Sequence, residues 1–76
     1  MSKNLNLQDA FLFVARRDRV PVTVYLTNGV RMLGTIDSYD NYIIIMKCDE
    51  GIRMLYKHAI STIQPNAPMS IQKDNS

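Results

Sequence analysis

Residues 22–30, which read VTVYLTNGV, predict a β-hairpin and decide the fold class of this chain. Apolar side chains alternate along residues 22–26 with the period of two that is typical of a β-strand. Asn28 and Gly29 both tolerate a positive φ, so this dipeptide is a strong signal for a two-residue type I′ turn. That register places three side chains on one face of the predicted sheet: Tyr25, Val30 and Met32.

A helix precedes this hairpin and three strands follow it. Apolar residues recur with helical spacing from Leu7 to Val14, and Pro21 ends that helix. Gly34 predicts a sharp bend in the second strand. Turn signals separate the later strands, which the pattern places at residues 42–48, 52–56 and 60–64. We therefore expect a mainly β fold, in which an N-terminal α-helix leads into a five-stranded, strongly bent antiparallel small barrel.

The length of the chain predicts self-assembly. A domain of 76 residues buries only about 60% of its unfolded surface, and such domains often gain stability by oligomerising. One cysteine and one histidine supply neither an internal disulfide nor a structural zinc site. No metal and no cofactor are predicted. Pairing one free strand edge with the opposite edge of the next copy predicts a head-to-tail ring.

Three features of the sequence predict a cytoplasmic protein without a membrane partner. The longest apolar run, residues 42–46, is far shorter than the roughly 20 residues that a membrane helix needs. Residues 1–4 lack the apolar stretch of a signal peptide, and Cys48 is a free thiol.

The sequence does not indicate an enzyme. Cys48 and His58 suggest nucleophilic catalysis, but no orienting acid or oxyanion hole can be identified for them. A glycine-rich phosphate loop and a carboxylate-rich metal cluster are also missing from the sequence.

Four segments carry a family resemblance. The most specific is YKHAIST at residues 56–62, and the others are LQDAFL at 7–12, RVPV at 19–22 and YLTNGV at 25–30. Together they resemble the Hfq family of bacterial RNA chaperones, within the Sm/LSm group. The resemblance implies an Sm-like domain over residues 7–65, between a flexible N-terminus (1–6) and a short flexible C-terminal tail (66–76). It also implies a homo-hexameric ring with three RNA-binding surfaces.

The first implied surface holds the 3′ ends of uridine-rich RNA. Tyr42 would stack on a base, Gln8 and Lys57 would bond base edges, and His58 would reach the terminal hydroxyl or phosphate. Asn41 and Tyr42 stand where the family commonly has glutamine and phenylalanine, changes that should preserve stacking but weaken uridine preference. We call these residues the proximal set: Gln8, Asn41, Tyr42, Lys57 and His58.

Two further surfaces follow from the resemblance. The rim set, which consists of Arg16, Arg17 and Arg19, would contact phosphates without reading sequence. Purine-rich RNA would bind a distal set, although Leu33 and Arg53 stand where the family pattern has glutamines that read adenine. We therefore expect purine binding that is retained but less selective. The distal set consists of Tyr25, Asn28, Gly29, Val30, Arg31, Met32, Arg53 and Thr62.

The same residues also have structural interpretations. Tyr25 and Met32 fit a core or a subunit interface, and periodicity alone favours that interpretation. The arginines at 16–19 fit a solvated helix end, and His58 fits a tight turn that it stabilises by hydrogen bonding the backbone. The family resemblance favours the RNA-binding interpretation in each case.

The leading hypothesis is an RNA chaperone that promotes pairing of small regulatory RNAs with mRNAs in post-transcriptional regulation and the stress response. The sequence leaves open whether DNA binds weakly as a second ligand. The alternative is an SH3-like barrel that binds proline-rich peptides, but peptide grooves of that kind typically contain tryptophan, and this chain has none.

Overall fold

A helix and five antiparallel strands make up residues 7–69, the part of the chain that the computed structural model describes. The strands form one sheet in the order β4-β3-β2-β1-β5, and a 3-10 turn at Lys57–Ala59 joins β4 to β5. This arrangement confirms the predicted fold class. The elements are α1 (Leu7–Arg17), β1 (Val22–Leu26), β2 (Arg31–Tyr39), β3 (Ile43–Cys48), β4 (Gly51–Tyr56) and β5 (Ile60–Pro65).

The longest strand, β2, changes its partner at Gly34, where the sequence predicts a bend. Its first residues pair with β1 and its later residues with β3, and Gly34 pairs with both, opposite Val22 and Cys48. A Cβ atom at position 34 would lie 3.0 Å from the carbonyl carbon of Lys47 and closer still to the oxygen. Glycine is required here because two backbones approach more closely than any side chain allows.

A β-bulge adds to the curvature of β2. The register with β3 shifts between Ile36 and Ser38, so two residues of β2 lie opposite one of β3. Bulges increase the local twist of a strand and bend it. The second half of β2 therefore curls away from the plane of its first half.

The core lies where α1 packs against the sheet. Alternate residues of β1, Val22 and Val24, are fully buried, and so are Leu12 and Ala15 of α1. Each large aliphatic side chain buried in this way stabilises the fold by about 1.5–3 kcal/mol. The buried cluster consists of Leu12, Ala15, Val20, Val22, Val24, Ile36, Ile44, Met46 and Leu55.

The end of α1 is a Schellman motif. The N–H of Val20 donates to the carbonyl of Ala15 at 3.0 Å, and the N–H of Arg19 donates to the carbonyl of Arg16 at 3.3 Å. Arg19 consequently has a left-handed backbone, with φ of 51°, a conformation that usually favours glycine. Val20 and Ala15 both belong to the buried cluster, so core packing holds this helix end in place.

The predicted register of the β1–β2 hairpin is wrong by one residue. Leu26 donates to the carbonyl of Val30 at 2.8 Å, Gly29 donates to the carbonyl of Leu26 at 3.0 Å, and the loop therefore has three residues, 27–29. Gly29 has φ of 93°, whereas Asn28 is not among the residues with positive φ, so a type I′ turn is excluded. Tyr25 therefore pairs with Arg31 rather than with Met32, which lies opposite Val24.

Residues 66–69 continue along the body of the domain. The N–H of Asn66 donates to the carbonyl of Pro21 at 2.8 Å, and its side-chain amide donates to Thr23 Oγ1 at 2.8 Å. Ala67 and Met69 pack against the buried cluster. The part of the predicted tail that the structure describes is thus held against β1, whereas residues 70–76 and 1–6 lie outside the described residues.

Within residues 7–69, β4 and β5 each lack a neighbouring strand on their outer side. The edge strand β4 also exposes three large apolar side chains, Ile52, Met54 and Tyr56. An exposed apolar edge of this kind is suited to pairing with another chain.

Gly34→Ala should destabilise the domain, because the added methyl group would overlap the backbone of Lys47. Overpacking against rigid groups costs about 1–3 kcal/mol, which corresponds to a fall in Tm of at least about 4 °C for a domain of this size. Thermal unfolding at a fixed protein concentration measures the change.

Gly29→Asn is the matched control, since open space surrounds position 29 and asparagine tolerates a positive φ. Its Tm should fall less than that of Gly34→Ala. Equal stability of Gly34→Ala and the wild type would contradict the close approach at this position.

Candidate nucleic-acid interface

The turn before β3 presents Tyr42 to solvent. Asp40 Oδ1 accepts hydrogen bonds from the backbone N–H groups of Tyr42 at 2.7 Å and of Ile43 at 2.9 Å. These bonds, chiefly the one from Tyr42, hold the pKa of Asp40 below its ordinary value, although desolvation opposes them. With its backbone fixed in this way, Tyr42 is 75% exposed.

Lys57 joins this turn to α1. Its backbone N–H donates to the carbonyl of Tyr42 at 2.8 Å. Its Nζ lies 3.5 Å from Asp9 Oδ1 and 5.7 Å from the centroid of the Tyr39 ring. Because its side chain is only 12% exposed, the ammonium group is held between Asp9 and Tyr39, while the Lys57 backbone is bonded to the turn that presents Tyr42.

The remaining proximal residues are Asn41, His58 and Gln8. Asn41 is exposed beside Tyr42, and the exposed His58 ring lies 5.7 Å from the Tyr56 ring, centroid to centroid. Gln8 instead lines a cavity of about 390 Å³ between α1 and the start of β5. Within one copy of the chain, the structure therefore joins Tyr42 to Lys57 through their backbones, with Asn41 next to Tyr42, whereas Gln8 lines a separate cavity.

The rim set comes together at the end of α1, beside a groove of about 400 Å³. Arg16 Nε donates to the carbonyl oxygen of Asp37 at 3.0 Å, which ties α1 to β2. Arg17 donates to both carboxylate oxygens of Asp18, at 2.9 and 3.1 Å. The groove is lined by Phe13, Arg16, Arg17, Arg19, Thr35, Ile36, Asp37 and Lys47.

The distal set is divided by the corrected register. Tyr25 lies between Arg31 of β2 and Thr62 of β5, so these three residues share one face of the sheet, and the Tyr25 hydroxyl lies 3.3 Å from Gln64 Oε1. Met32 points to the opposite face and packs against the core. The prediction that Tyr25 shares one face of the sheet with Val30 and Met32 is therefore wrong.

Other distal residues line a second cavity, of about 510 Å³, which contains Val30, Arg31, Met32 and Arg53. Asp49 and Glu50 line it too, and their carboxylates disfavour a phosphate at that end. Asn28 and Gly29 form the tip of the hairpin, where Asn28 Oδ1 accepts a hydrogen bond from Val30 N–H at 3.0 Å.

Sequence reasoning missed two residues of these surfaces. Lys47 reaches the rim groove from β3, a contact that depends on how the end of α1 lies over the sheet and leaves no local signal. Asp40 positions Tyr42, and here a signal existed, because aspartate two residues before an exposed side chain is typical of an Asx turn.

The one cysteine of the chain, Cys48, is half-buried at the end of β3. Burial raises the pKa of the Cys48 thiol, and the charge of Glu50 adds to this effect. A group of three His, Cys, Asp or Glu side chains able to hold a metal ion does not occur among the described residues. Across the same range, α1 is too short and too polar to span a membrane.

A helix packed on a bent five-stranded antiparallel sheet defines a small Sm-like barrel, and comparisons with known proteins identify its family. The family model described as Hfq protein matches residues 7–70. The RNA-binding protein Hfq of Syntrophomonas wolfei subsp. wolfei is 47% identical over 72 residues, which cover 93% of this chain and 88% of that relative. The chain therefore belongs to the Hfq family.

A solved structure supports the same assignment. The crystal structure of the pleiotropic translational regulator Hfq matches with a TM-score of 0.76 and 37% sequence identity, over 78% of this chain and 98% of that one. Family membership confirms the resemblance of the four segments and the prediction that the chain is not an enzyme. It contradicts the alternative of an SH3-like peptide-binding barrel.

Asp40 should stabilise the domain in a pH-dependent way. Because the pKa of Asp40 is lowered in the folded state, its contribution is present above the ordinary value of 3.8 and is lost as the pH falls below it. The wild type should therefore have a higher urea midpoint than Asp40→Asn at pH 7, and the difference should shrink by pH 3.

Asp40→Ala separates charge from hydrogen bonding in this experiment. Asparagine keeps an acceptor oxygen for the Tyr42 N–H, whereas alanine removes it, so the alanine variant should have the lower midpoint at pH 7. A wild-type advantage that stays constant from pH 7 to pH 3 would contradict the assigned cause.

Proposed function

We propose that this protein is an RNA chaperone that binds single-stranded RNA on three surfaces of a homo-oligomeric ring. The observation that carries the proposal is the exposed Tyr42, whose backbone is held by Asp40 and by the backbone N–H of Lys57. An exposed aromatic ring on a fixed backbone is a platform on which an unpaired base can stack. The relative from Syntrophomonas wolfei is itself named an RNA-binding protein.

The proximal set is the proposed site for uridine-rich RNA. Tyr42 stacks on a base, Asn41 and Gln8 offer amide groups to base edges, and His58 reaches the end of the strand. Lys57 is paired with Asp9 and its side chain is only 12% exposed, so its contribution to binding would be smaller than that of Tyr42. Asn41 is one methylene shorter than the glutamine that the resemblance implies, so discrimination between bases should be modest.

Purine-rich RNA is proposed to bind the distal set, with Tyr25 as its stacking platform. Arg31 and Thr62 flank Tyr25 on the same face and supply a cation and a hydroxyl group. Leu33 is exposed on this face and offers a purine only apolar contact. Arg53 adds charge from β4, so binding should depend on stacking and phosphate contacts more than on base-edge hydrogen bonds.

A ring of identical copies is proposed because two strand edges are open. The outer edges of β4 and β5 lie at opposite ends of the sheet. The β4 edge of one copy can therefore pair with the β5 edge of the next, and the same contact can repeat around a ring. The exposed apolar side chains of β4 would be covered in the process. Each copy contributes a formal charge of +2, which a ring concentrates toward a polyanion.

In this proposal the ring acts in the cytoplasm on small regulatory RNAs and their mRNAs, and a hexamer is the expected assembly. The proximal and distal surfaces hold different single strands, and the rim lowers the repulsion between them while they pair. Bonds in the RNA are neither made nor broken. DNA would bind more weakly through the same phosphate contacts.

Tyr42→Ala should weaken binding of a hexauridylate by at least about tenfold, the usual cost of losing one aromatic stacking partner. Tyr25→Ala should do the same to an adenine-rich oligonucleotide, and each variant should leave the other probe within about twofold, because the two rings lie on different surfaces. Fluorescence anisotropy at one fixed salt concentration measures both affinities.

Tyr42→Phe is the matched control, since it keeps the ring and should keep the affinity for hexauridylate. Native mass spectrometry on every variant verifies the assembly, which should be a multiple of the 8.7 kDa chain. A stable 8.7 kDa species that binds neither probe would overturn the proposed function.

The double variant Arg16→Ala/Arg17→Ala should slow the annealing of two complementary RNAs by at least about tenfold, because electrostatic steering raises association rates by 10–10³. Equilibrium binding of either single strand should change less. Arg16→Lys/Arg17→Lys keeps the charge and serves as the control. An alanine variant that anneals RNA at the wild-type rate would remove the rim from the mechanism.

A further inference from the structure

Phe13 is an exposed aromatic residue that the functions proposed above leave unused. We propose that Phe13 is a nucleobase-stacking residue, which makes the rim groove a binding site for unpaired nucleotides rather than a general phosphate-binding surface. The proposal rests on the RNA-binding function argued above and deepens it at one surface.

The Phe13 ring is held open to solvent at the entrance of the groove. Phe13 is 50% exposed, and the Arg17 guanidinium lies 5.7 Å from the ring centroid. Arg17 lies one helical turn after Phe13, and its two hydrogen bonds to Asp18 fix the plane of the guanidinium. The ring and the guanidinium are therefore positioned together before any ligand arrives.

The other charged residues that line the groove are mainly positive, which favours a polyanion as the ligand. Arg16, Arg19 and Lys47 line it together with a single further carboxylate, Asp37. Arg16 is bonded to a backbone carbonyl rather than to an acid, so its positive charge is not neutralised. An aromatic ring among these cations matches a nucleotide, which offers a flat base and a phosphate a few ångströms apart.

The position of the groove separates it from the proposed subunit contacts. Its lining comes from α1, β2 and β3, and β2 is the central strand of the sheet. The open edges that would pair in a ring belong to β4 and β5. Phe13 would therefore stay exposed after assembly and would be present once in every copy.

Stacking at Phe13 would also distinguish the single RNA strands from the duplex that they form. Bases in a single strand can stack on the ring, whereas bases in a finished duplex are already stacked and paired. The groove would hold each strand until pairing and would then lose its base contacts while phosphate contacts alone remained. Because the base contacts to Phe13 are lost on pairing, the duplex would be bound less tightly than the single strands and would be released.

The experiment uses the full chain with Tyr25→Ala and Tyr42→Ala as a background, which weakens the proximal and distal surfaces. Two fluorescent probes are compared: a hexacytidylate, and the same backbone with abasic residues at its four central positions. Phe13→Leu removes the aromatic ring but keeps an apolar side chain, and Phe13→Tyr keeps the ring. Circular dichroism and native mass verify the fold and the assembly.

Phe13→Leu should raise the Kd of hexacytidylate by about fivefold, toward the lower end of base-stacking effects because the ring is half exposed. Phe13→Tyr should stay within about twofold of the background, and the abasic probe should bind all three proteins equally. Lys47→Ala should instead reduce the salt dependence of binding for both probes, since it removes a phosphate contact.

Three results would overturn the assignment. These are an unchanged hexacytidylate affinity in Phe13→Leu, an equal loss for both probes, or a changed native mass with unchanged affinity, which would assign Phe13 to contacts between copies. Failure of the otherwise unsubstituted protein to bind hexauridylate or adenine-rich RNA would be a failure of the proposed function instead.

Discussion

The close approach of two strands at Gly34 is the constraint on which the rest of the structure depends. Because position 34 has no side chain, β2 can contact β1 with its first residues and β3 with its later ones. The nine-residue strand thereby carries the sheet around the buried cluster instead of across it. The rim groove and the larger cavity both include residues of this strand, so the curvature at Gly34 determines where the cationic side chains meet.

Local hydrogen bonds in the connections then orient the residues that face solvent. Asp40 holds the backbone of Tyr42, and the Schellman motif turns the chain at Arg19 so that the end of α1 lies over the sheet. The backbone of Lys57 is bonded to the same turn as Tyr42. Surface residues proposed to contact RNA are thus held by backbone geometry, which lowers the conformational entropy that binding would otherwise cost.

Most of the fold could be predicted from the sequence, because periodicity and turn residues are local signals. The helix, the five strands and the bend at Gly34 all carry such signals. The register of the β1–β2 hairpin could not be predicted, because Asn28 and Gly29 fit a two-residue and a three-residue loop equally well. Only the backbone φ angles decide between the two loops. At the candidate site, only the family resemblance named single residues such as Tyr42, whereas the meeting of Lys47 with the rim set depends on packing between distant segments.

At Arg19, which has a left-handed backbone, the stability of the domain and the positive charge of the rim groove favour different residues. Glycine at this position would relax the main chain, as left-handed residues that carry a Cβ cost roughly 1–2 kcal/mol. The same replacement would remove one guanidinium from the groove beside α1. A domain made more heat-resistant by glycine at position 19 would therefore bind nucleic acid less well. Selection for stability at this position works against selection for binding.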